Sequence, residues 1–305
     1  MNSGFLLIDK PEGPTSHDIV AELRKILHIR RIGHAGTLDP FASGLLILGI
    51  GKATRLLEYL KQKDKTYDFE LILGSTSDTD DRTGIIKPYE EALSPGQLVF
   101  KCIQDVLKGF IGEIRQVPPP FSAIKYKGKR LYQYAREGEK IEVQPRTVVI
   151  HYISLISYCY PLVRLEARVS AGTYIRSLAR DLGQRLGAGA YVRSLRRTKI
   201  GSLDVRNAVS LEKIKEGREE MNRGWLSIEE ALKDWERYTV SEEASKRLLQ
   251  GNAIPETDAM PQNTTKTDRP FLILDGDGRP ICVAIFKNQG KEGERVIIQP
   301  RKILI

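Results

Sequence analysis

Cysteine is scarce in this chain of 305 residues: Cys102, Cys159 and Cys282 lie far apart. That excludes a disulfide framework and a zinc-binding spacing, and leaves buried small hydrophobes as their simplest role. The four histidines, His17, His28, His34 and His151, show no ligand spacing, so no metal site is expected. Long apolar runs are missing as well. The longest reach six to seven residues, far short of the roughly 20 a membrane helix needs, and no hydrophobic leader follows Met1. A cytoplasmic protein without membrane contact is expected. Hydrophobic content of 41% and charged content of 29% suit one or two globular domains.

Acids are lacking in two stretches. Residues 164 to 199 hold nine basic side chains (Arg164, Arg168, Arg176, Arg180, Arg185, Arg193, Arg196, Arg197, Lys199) against Glu166 and Asp181. Residues 121 to 136 add Lys125, Lys127, Lys129, Arg130 and Arg136 against no acid, so the two stretches together exceed the net charge of +9. Tyr126, Tyr132, Tyr134, Tyr174 and Tyr191 are interleaved with them. Cations for phosphates beside rings for bases to stack on point to RNA, single-stranded or looped.

The apolar pattern predicts a helix capped by Ser16, with Ile19, Val20, Leu23, Ile26 and Leu27 on its inner face. Residues 45 to 50 read as a strand buried on both faces. In "YDFELILG", Tyr67, Phe69, Leu71 and Leu73 alternate and Gly74 ends the strand. Ser94-Pro95 opens a helix with an inner stripe of Val99, Cys102, Ile103, Val106, Leu107 and Phe110. "LVRLEARVS" alternates again, and a helix from about Tyr174 buries Ile175, Leu178, Ala179, Leu182 and Leu186, leaving Arg176 and Arg180 on another face. Without a regular βαβ rhythm the expected class is α+β. Residues 120 to 145 read as an insertion that closes over a ligand. From Tyr238 a helix capped by Ser241, a polar loop at 255 to 270 and the hairpin-like "PFLILDGDGRPICVAIF" suggest a separate small β-rich unit, giving boundaries of 1–237 and 238–305.

Two motif-like stretches carry no chemistry of their own. "GIGKAT" has Leu46 and Ala53 where a phosphate loop needs Gly and Ser or Thr. "SDTDDRTG" has Arg82 and Thr83 at calcium-loop positions that forbid them, so turn geometry and solvation explain Asp78, Asp80 and Asp81. "GHAGTLDPFASG", residues 33 to 44, is different. Its single acid, Asp39, has no other carboxylate within fifteen residues on either side. Pro40 pushes Asp39 out of the helical region, and the glycines let the backbone turn sharply and approach a ligand. By composition alone it is a turn former.

Five segments alter that reading: "LLIDKPEGPTSHDIV", "RRIGHAGTLDPFASGLLILGIGKATR", "KTYDFELILGSTSDTDDRTG", "QVPPPFSAIKYKGKRLYQYAREG" and "VSAGTYIRSLARDLGQRLGAGAYVRSLRR". Together they span about two hundred residues, and through them the chain resembles the TruB family of bacterial tRNA pseudouridine synthases. The resemblance implies the pseudouridine synthase fold, with a mixed, mainly antiparallel central sheet flanked by helices. It also implies a small C-terminal β-barrel-like PUA domain that binds RNA. A monomer acting without cofactor on the T stem-loop of tRNA, isomerising uridine 55, is then expected.

In that family the aspartate of this motif is catalytic, here Asp39. The bond from C1′ to N1 breaks, the base turns, and C1′ joins C5. A carboxylate serves by attacking C6, by attacking C1′, or as a base. No second carboxyl is needed, because water is not a reactant and the base is retained. The same resemblance makes Tyr67 the ring stacked on the base and a helper in proton removal, and Arg176 the partner of Asp39. Tyr174 becomes a pocket wall, Leu195 an apolar pocket residue, and His34 the side chain filling the space left by the flipped uridine. Lys10, Arg180, Arg196, Arg197, Lys125 and Lys127 are expected on the substrate RNA, the arginines as phosphate clamps. A guide-RNA-dependent synthase of the dyskerin type is the alternative, disfavoured by the insertion at 120 to 145. A tRNA-folding chaperone role is compatible with either.

Overall fold

The computed structural model describes residues 3–90, 99–122, 124–139, 141–262, 269–289 and 295–304. Its larger sheet has ten strands, eight of them in the order Trp225–Leu226, Gly4–Lys10, Ser43–Ile50, Ala190–Ile200, Lys65–Leu73, Leu162–Val169, Arg146–Cys159, Gly112–Gln116. Ile32–His34 pairs beside Ser43–Ile50, and Leu203–Asp204 beside Ala190–Ile200. Every pairing is antiparallel but one: Ser43–Ile50 meets Ala190–Ile200 in parallel, at Arg196↔Ser43 and Arg197↔Gly44. This short parallel junction joins the two halves of the sheet and sets the Asp39 loop beside the second half. It depends on Gly44, whose φ is +101° and whose missing Cβ would lie 2.3 Å from the Arg197 carbonyl oxygen.

Alternation of apolar residues in Lys65–Leu73 and Leu162–Val169 buries Phe69, Leu71, Val163 and Leu165, as the patterns predict. The helix Ile175–Arg185 lays Ile175, Leu178, Ala179 and Leu182 on that face, joined by Ile103 and Leu107 of Phe100–Lys108. In the latter helix only part of the predicted stripe is buried: Val99 and Cys102 are exposed, and Ser94-Pro95 lies outside the described residues. The first helix, Ser16–Leu27, is capped by Thr15 rather than Ser16, through a capping box with Asp18. Ser16 faces inward instead. Its hydroxyl accepts from Leu38 N (2.9 Å) and donates to Leu38 O (3.2 Å), tying the helix to the residue before Asp39.

The second sheet has six strands, all from residues 237 to 303. The hairpin Phe271–Leu274 to Pro280–Gln289 forms as the Asp-Gly turn predicts, and Ser241 caps Glu242–Leu249. One face of this sheet closes its own core around Tyr238, Phe271 and Ile281. The other face is not free. Leu272, Leu274, Val283 and Leu304 share a buried cluster with Phe5, Leu7, Leu45 and Ile47 of the larger sheet. Lys302 also pairs with Glu58 at 2.7 Å, and Arg55 donates to the Ile303 carbonyl at 2.6 Å.

Candidate active site

Asp39 stands where two cavities meet. The smaller, about 330 Å³, is lined by Tyr67, Tyr174, Leu195 and Arg197 among others. The larger, about 810 Å³, is lined by His17, His34, Asp81, Phe121 and Tyr132 among others. Thr37, Asp39, Ser122 and Arg176 line both. Asp39, Tyr67, Arg176, Tyr174, Leu195 and His34 are therefore brought together from segments up to about 160 residues apart.

The loop presenting Asp39 is fastened from every side. Ser16 holds Leu38. Lys10 is fully buried, and its ammonium donates to the carbonyls of Pro11 (2.7 Å), Pro14 (2.9 Å) and, at 3.4 Å, Pro40. Arg197 lies beneath, 2% exposed, donating to the carbonyls of Leu45 (2.8 Å), Gly36 (3.2 Å) and Thr37 (3.4 Å). Five donors in a planar fork let one guanidinium bond two carbonyls of the loop and one of the strand that follows it. Lys10 and Arg197, expected on the substrate RNA, are buried and shape the turn from within, and Arg197 also lines the smaller cavity. Arg196 is bidentate to Asp9 (2.9 and 2.7 Å), and Arg180 bonds Asp80 at 2.9 Å and Asp181 at 2.9–3.0 Å. Any phosphate at either must compete with those carboxylates.

Arg176, expected on a face of its helix away from the apolar stripe, is 4% exposed. The Asp39 loop and the insertion cover it. Its Nε lies 2.9 Å from Asp39 Oδ2, an ion pair without the alignment of a hydrogen bond. Nη1 donates to Thr79 O (3.1 Å) and Nη2 to Phe121 O (2.9 Å). Asp81 Oδ2 stands 3.5 Å from Nη1. The helix start itself has no side-chain cap; Gln116 supplies one, accepting from Tyr174 N at 2.8 Å and donating to Tyr174 O at 3.1 Å.

Asp81 is the residue that sequence reading missed. Its other oxygen accepts from Thr79 Oγ1 (2.9 Å), Thr83 N (2.9 Å) and Thr83 Oγ1 (2.5 Å), and its side chain is 5% exposed. Turn geometry accounts for these bonds, but solvation does not, because Asp80 and Asp81 are buried. A second acid thus does reach the Asp39 site, from 42 residues away, and no local spacing in the sequence signals it.

Burial pushes the Asp39 carboxyl above its ordinary range; Arg176 pulls it down, Asp81 pushes it up, and Lys10 pulls it down more weakly. A third of the side chain (36%) is open to the cavities, so this carboxylate is held by one cation and reachable by a ligand. Burial lowers Lys10 to about 8 and also lowers His34, whose Nδ1 has no partner. Burial raises the Tyr174 phenol. A shifted carboxyl, a fixed cation and aromatic walls around a cleft of ligand size form a site for chemistry on a nucleoside-sized group.

The basic stretch 164 to 199 is not an open cationic face. Across the strand pair, the register Arg164↔Glu70, Glu166↔Asp68 and Arg168↔Thr66 puts acids beside arginines. Arg164 is bidentate to Asp68 (3.0 and 2.7 Å), and Arg168 pairs with Asp64 at 2.8 Å. Lys199 pairs with Asp204 at 3.8 Å, and Arg193 approaches Glu70 at 4.0 Å. The insertion differs: Lys125 and Lys127 sit exposed on the hairpin Lys125–Tyr126 with Lys129–Arg130, outside the lining of the two cavities at Asp39. Among the described residues no helix is long and apolar enough to cross a membrane.

Residues 24–175 match the family model "TruB family pseudouridylate synthase (N terminal domain)", and 176–237 match "tRNA pseudouridylate synthase B C-terminal domain". A Thermosipho melanesiensis protein named tRNA pseudouridine synthase B is 41% identical, over 93% of this chain and 90% of its own. A Bacillus licheniformis protein of the same name is 36% identical over 100% and 98%. The fold is similar to that in a Cbf5-Nop10-Gar1 complex, at TM-score 0.74, 25% identity and coverage of 99% and 85%. A structure titled as an H/ACA RNP bound to a substrate RNA aligns with the same TM-score at 23% identity, covering 99% and 85%. The α+β class, the mixed sheet and the curled, PUA-like second sheet agree with that likeness. By both family models and by 36–41% identity to relatives over nearly its full length, this chain belongs to the TruB family of pseudouridylate synthases, and its chemistry is that of an isomerase.

Proposed function

We propose that this chain converts uridine 55 in the T loop of tRNA to pseudouridine, with Asp39 as the reacting carboxylate. The observation that carries the proposal is the Asp39–Arg176 pair at 2.9 Å, standing at the junction of two cavities and partly open to both. Attack at C6, attack at C1′ and action as a base all require the ionised form, which Arg176 favours against burial. The smaller cavity, walled by Tyr67, Tyr174 and Leu195, suits a flipped uracil stacked on a ring. Tyr67 then serves the later proton removal at C5. On the other side, His34, which lines the larger cavity, fills the space the uridine vacates. Lys125 and Lys127 on the exposed hairpin supply phosphate contacts as the insertion closes. The six-stranded C-terminal sheet extends the RNA surface. The enzyme works as a monomer, without cofactor, and its grip on the T arm also assists tRNA folding.

The relatives' name supports tRNA as substrate, and the insertion favours a stand-alone enzyme over a guide-dependent one. Pseudouridine mapping of bulk tRNA incubated with purified protein tests this. A single new pseudouridine in the T loop, formed without added guide RNA, is expected. Modification only with a guide RNA, or at another position, overturns the proposal.

A further inference from the structure

Ser122 carries a buried hydroxyl, 4% exposed, whose Oγ has no aligned hydrogen-bond partner among the described residues, and it lines both cavities beside Asp39 and Arg176. The Tyr174 phenol is near enough for Ser122 to draw its pKa down against burial, yet no aligned bond joins them. The backbone around Ser122 is fixed. Phe121 O accepts from Arg176 Nη2 at 2.9 Å, and Ser122 O accepts from Tyr132 N at 3.1 Å. A buried hydroxyl without a partner loses its hydration for no return, so native proteins tend to keep one where a ligand supplies the missing bond.

We infer that Ser122 Oγ hydrogen-bonds the 2′-hydroxyl of the target nucleotide's ribose. The inference rests on the reading of the cleft as the uridine site. Tyr67 and Leu195 line only the smaller cavity, whereas Ser122, Asp39 and Arg176 form the junction. With the base against Tyr67 and the sugar carbon C1′ at Asp39, the ribose lies at that junction. A phosphate there would face the carboxylates of Asp39 and Asp81, which already share the Arg176 cation. A neutral ribose hydroxyl meets no such repulsion, and it both donates and accepts, as serine does. Ser122 is thus a substrate-binding residue for the sugar, set by the insertion and delivered next to the reacting carboxylate.

The test compares Ser122→Ala and Ser122→Thr with wild type on a T stem-loop RNA and on the same RNA with 2′-deoxyuridine at the target. Single-turnover rate and dissociation constant are read for both, so an unreactive deoxy substrate still decides the matter through binding. Ser122→Ala should lose about tenfold in rate or affinity on the ribose substrate, equivalent to ~1.4 kcal/mol. On the deoxy substrate it should stay within twofold of wild type. Ser122→Thr should recover most of the loss. Because no aligned internal bond is removed, the melting temperature of Ser122→Ala should stay close to that of wild type. A lowered melting temperature with unchanged rate and affinity, or equal losses on both RNAs, overturns the inference. Asp39→Asn on the same RNA separates the two readings: if it stays active, the uridine-site reading has failed, whatever Ser122 does.

Discussion

Asp39→Asn separates chemistry from architecture more cleanly than any other substitution. The amide keeps the shape of the side chain, and Arg176 keeps Asp81, the Thr79 carbonyl and the Phe121 carbonyl. The turn survives too, since Lys10, Arg197 and Ser16 hold its backbone and not its carboxylate. What is lost is the carboxylate that pairs with the buried guanidinium at 2.9 Å and opens onto both cavities. An amide is a poor nucleophile and a poor base, so the barrier should rise by at least ~5 kcal/mol, several thousandfold in rate. Affinity rests on many phosphate and stacking contacts and should change by about 1 kcal/mol or less. Stability should move the other way. The folded-state carboxyl lies above its ordinary value, so its share of stability is present at low pH and lost as pH rises through that raised value. At pH 7 the ionised group costs folding energy, and the amide removes that cost. Single-turnover pseudouridine formation, filter binding and a thermal melt on one preparation decide the case. Activity within tenfold of wild type would move the chemistry elsewhere. A melting temperature several degrees below wild type would show that Asp39 is chiefly a turn residue.

Other substitutions probe the surroundings of the pair. In wild type the acid limb of the single-turnover rate should lie above the ordinary 3.8 of an aspartate. Arg176→Gln should shift that limb to higher pH, because the largest opposing pull is gone. It should also lower the melting temperature, because buried Asp81 loses its cation and keeps only the bonds from Thr79 and Thr83; a limb that does not shift refutes the pairing. Lys125→Gln with Lys127→Gln should lower the slope of log affinity against log salt by one to two, whereas Arg164→Gln and Arg168→Gln, whose charges Asp68 and Asp64 already neutralise, should leave it nearly unchanged. Equal slopes for the two pairs would place the RNA elsewhere. Ending the chain before Tyr238 should lower the melting temperature markedly, since Phe5, Leu7 and Leu45 lose their contacts with Leu272, Leu274 and Leu304. A truncated protein melting with wild type would show that the shared cluster contributes little.

The elements were largely legible because their signals are local. Alternation in Lys65–Leu73 and Leu162–Val169 follows from the two-residue period of a strand, and the stripe of Ile175–Arg185 from 3.6 residues per turn. The first helix was placed to within one residue; Thr15 outcompeted Ser16 as cap because Asp18 completes its box and Leu38 claims the Ser16 hydroxyl. The arginines were harder. Their positions along the chain said cationic surface, but cross-strand register decided their partners: Asp68 lies in the strand Lys65–Leu73 and Asp64 just before it, about 100 residues earlier.

By itself the sequence determined the α+β class, the motif around Asp39 and the residues that family resemblance assigns to it. Those depend on short-range periodicity and on a turn that Pro40 and Gly44 specify locally. Only the tertiary structure decided which charges remain free. It buried Lys10 and Arg197 beneath the Asp39 turn, brought Asp81 to Arg176, left the Ser122 hydroxyl without an aligned partner among the described residues, and packed the second sheet on the first. A titratable group's role depends on burial and on neighbours within a few ångströms, and sheet pairing sets both between residues far apart in the chain.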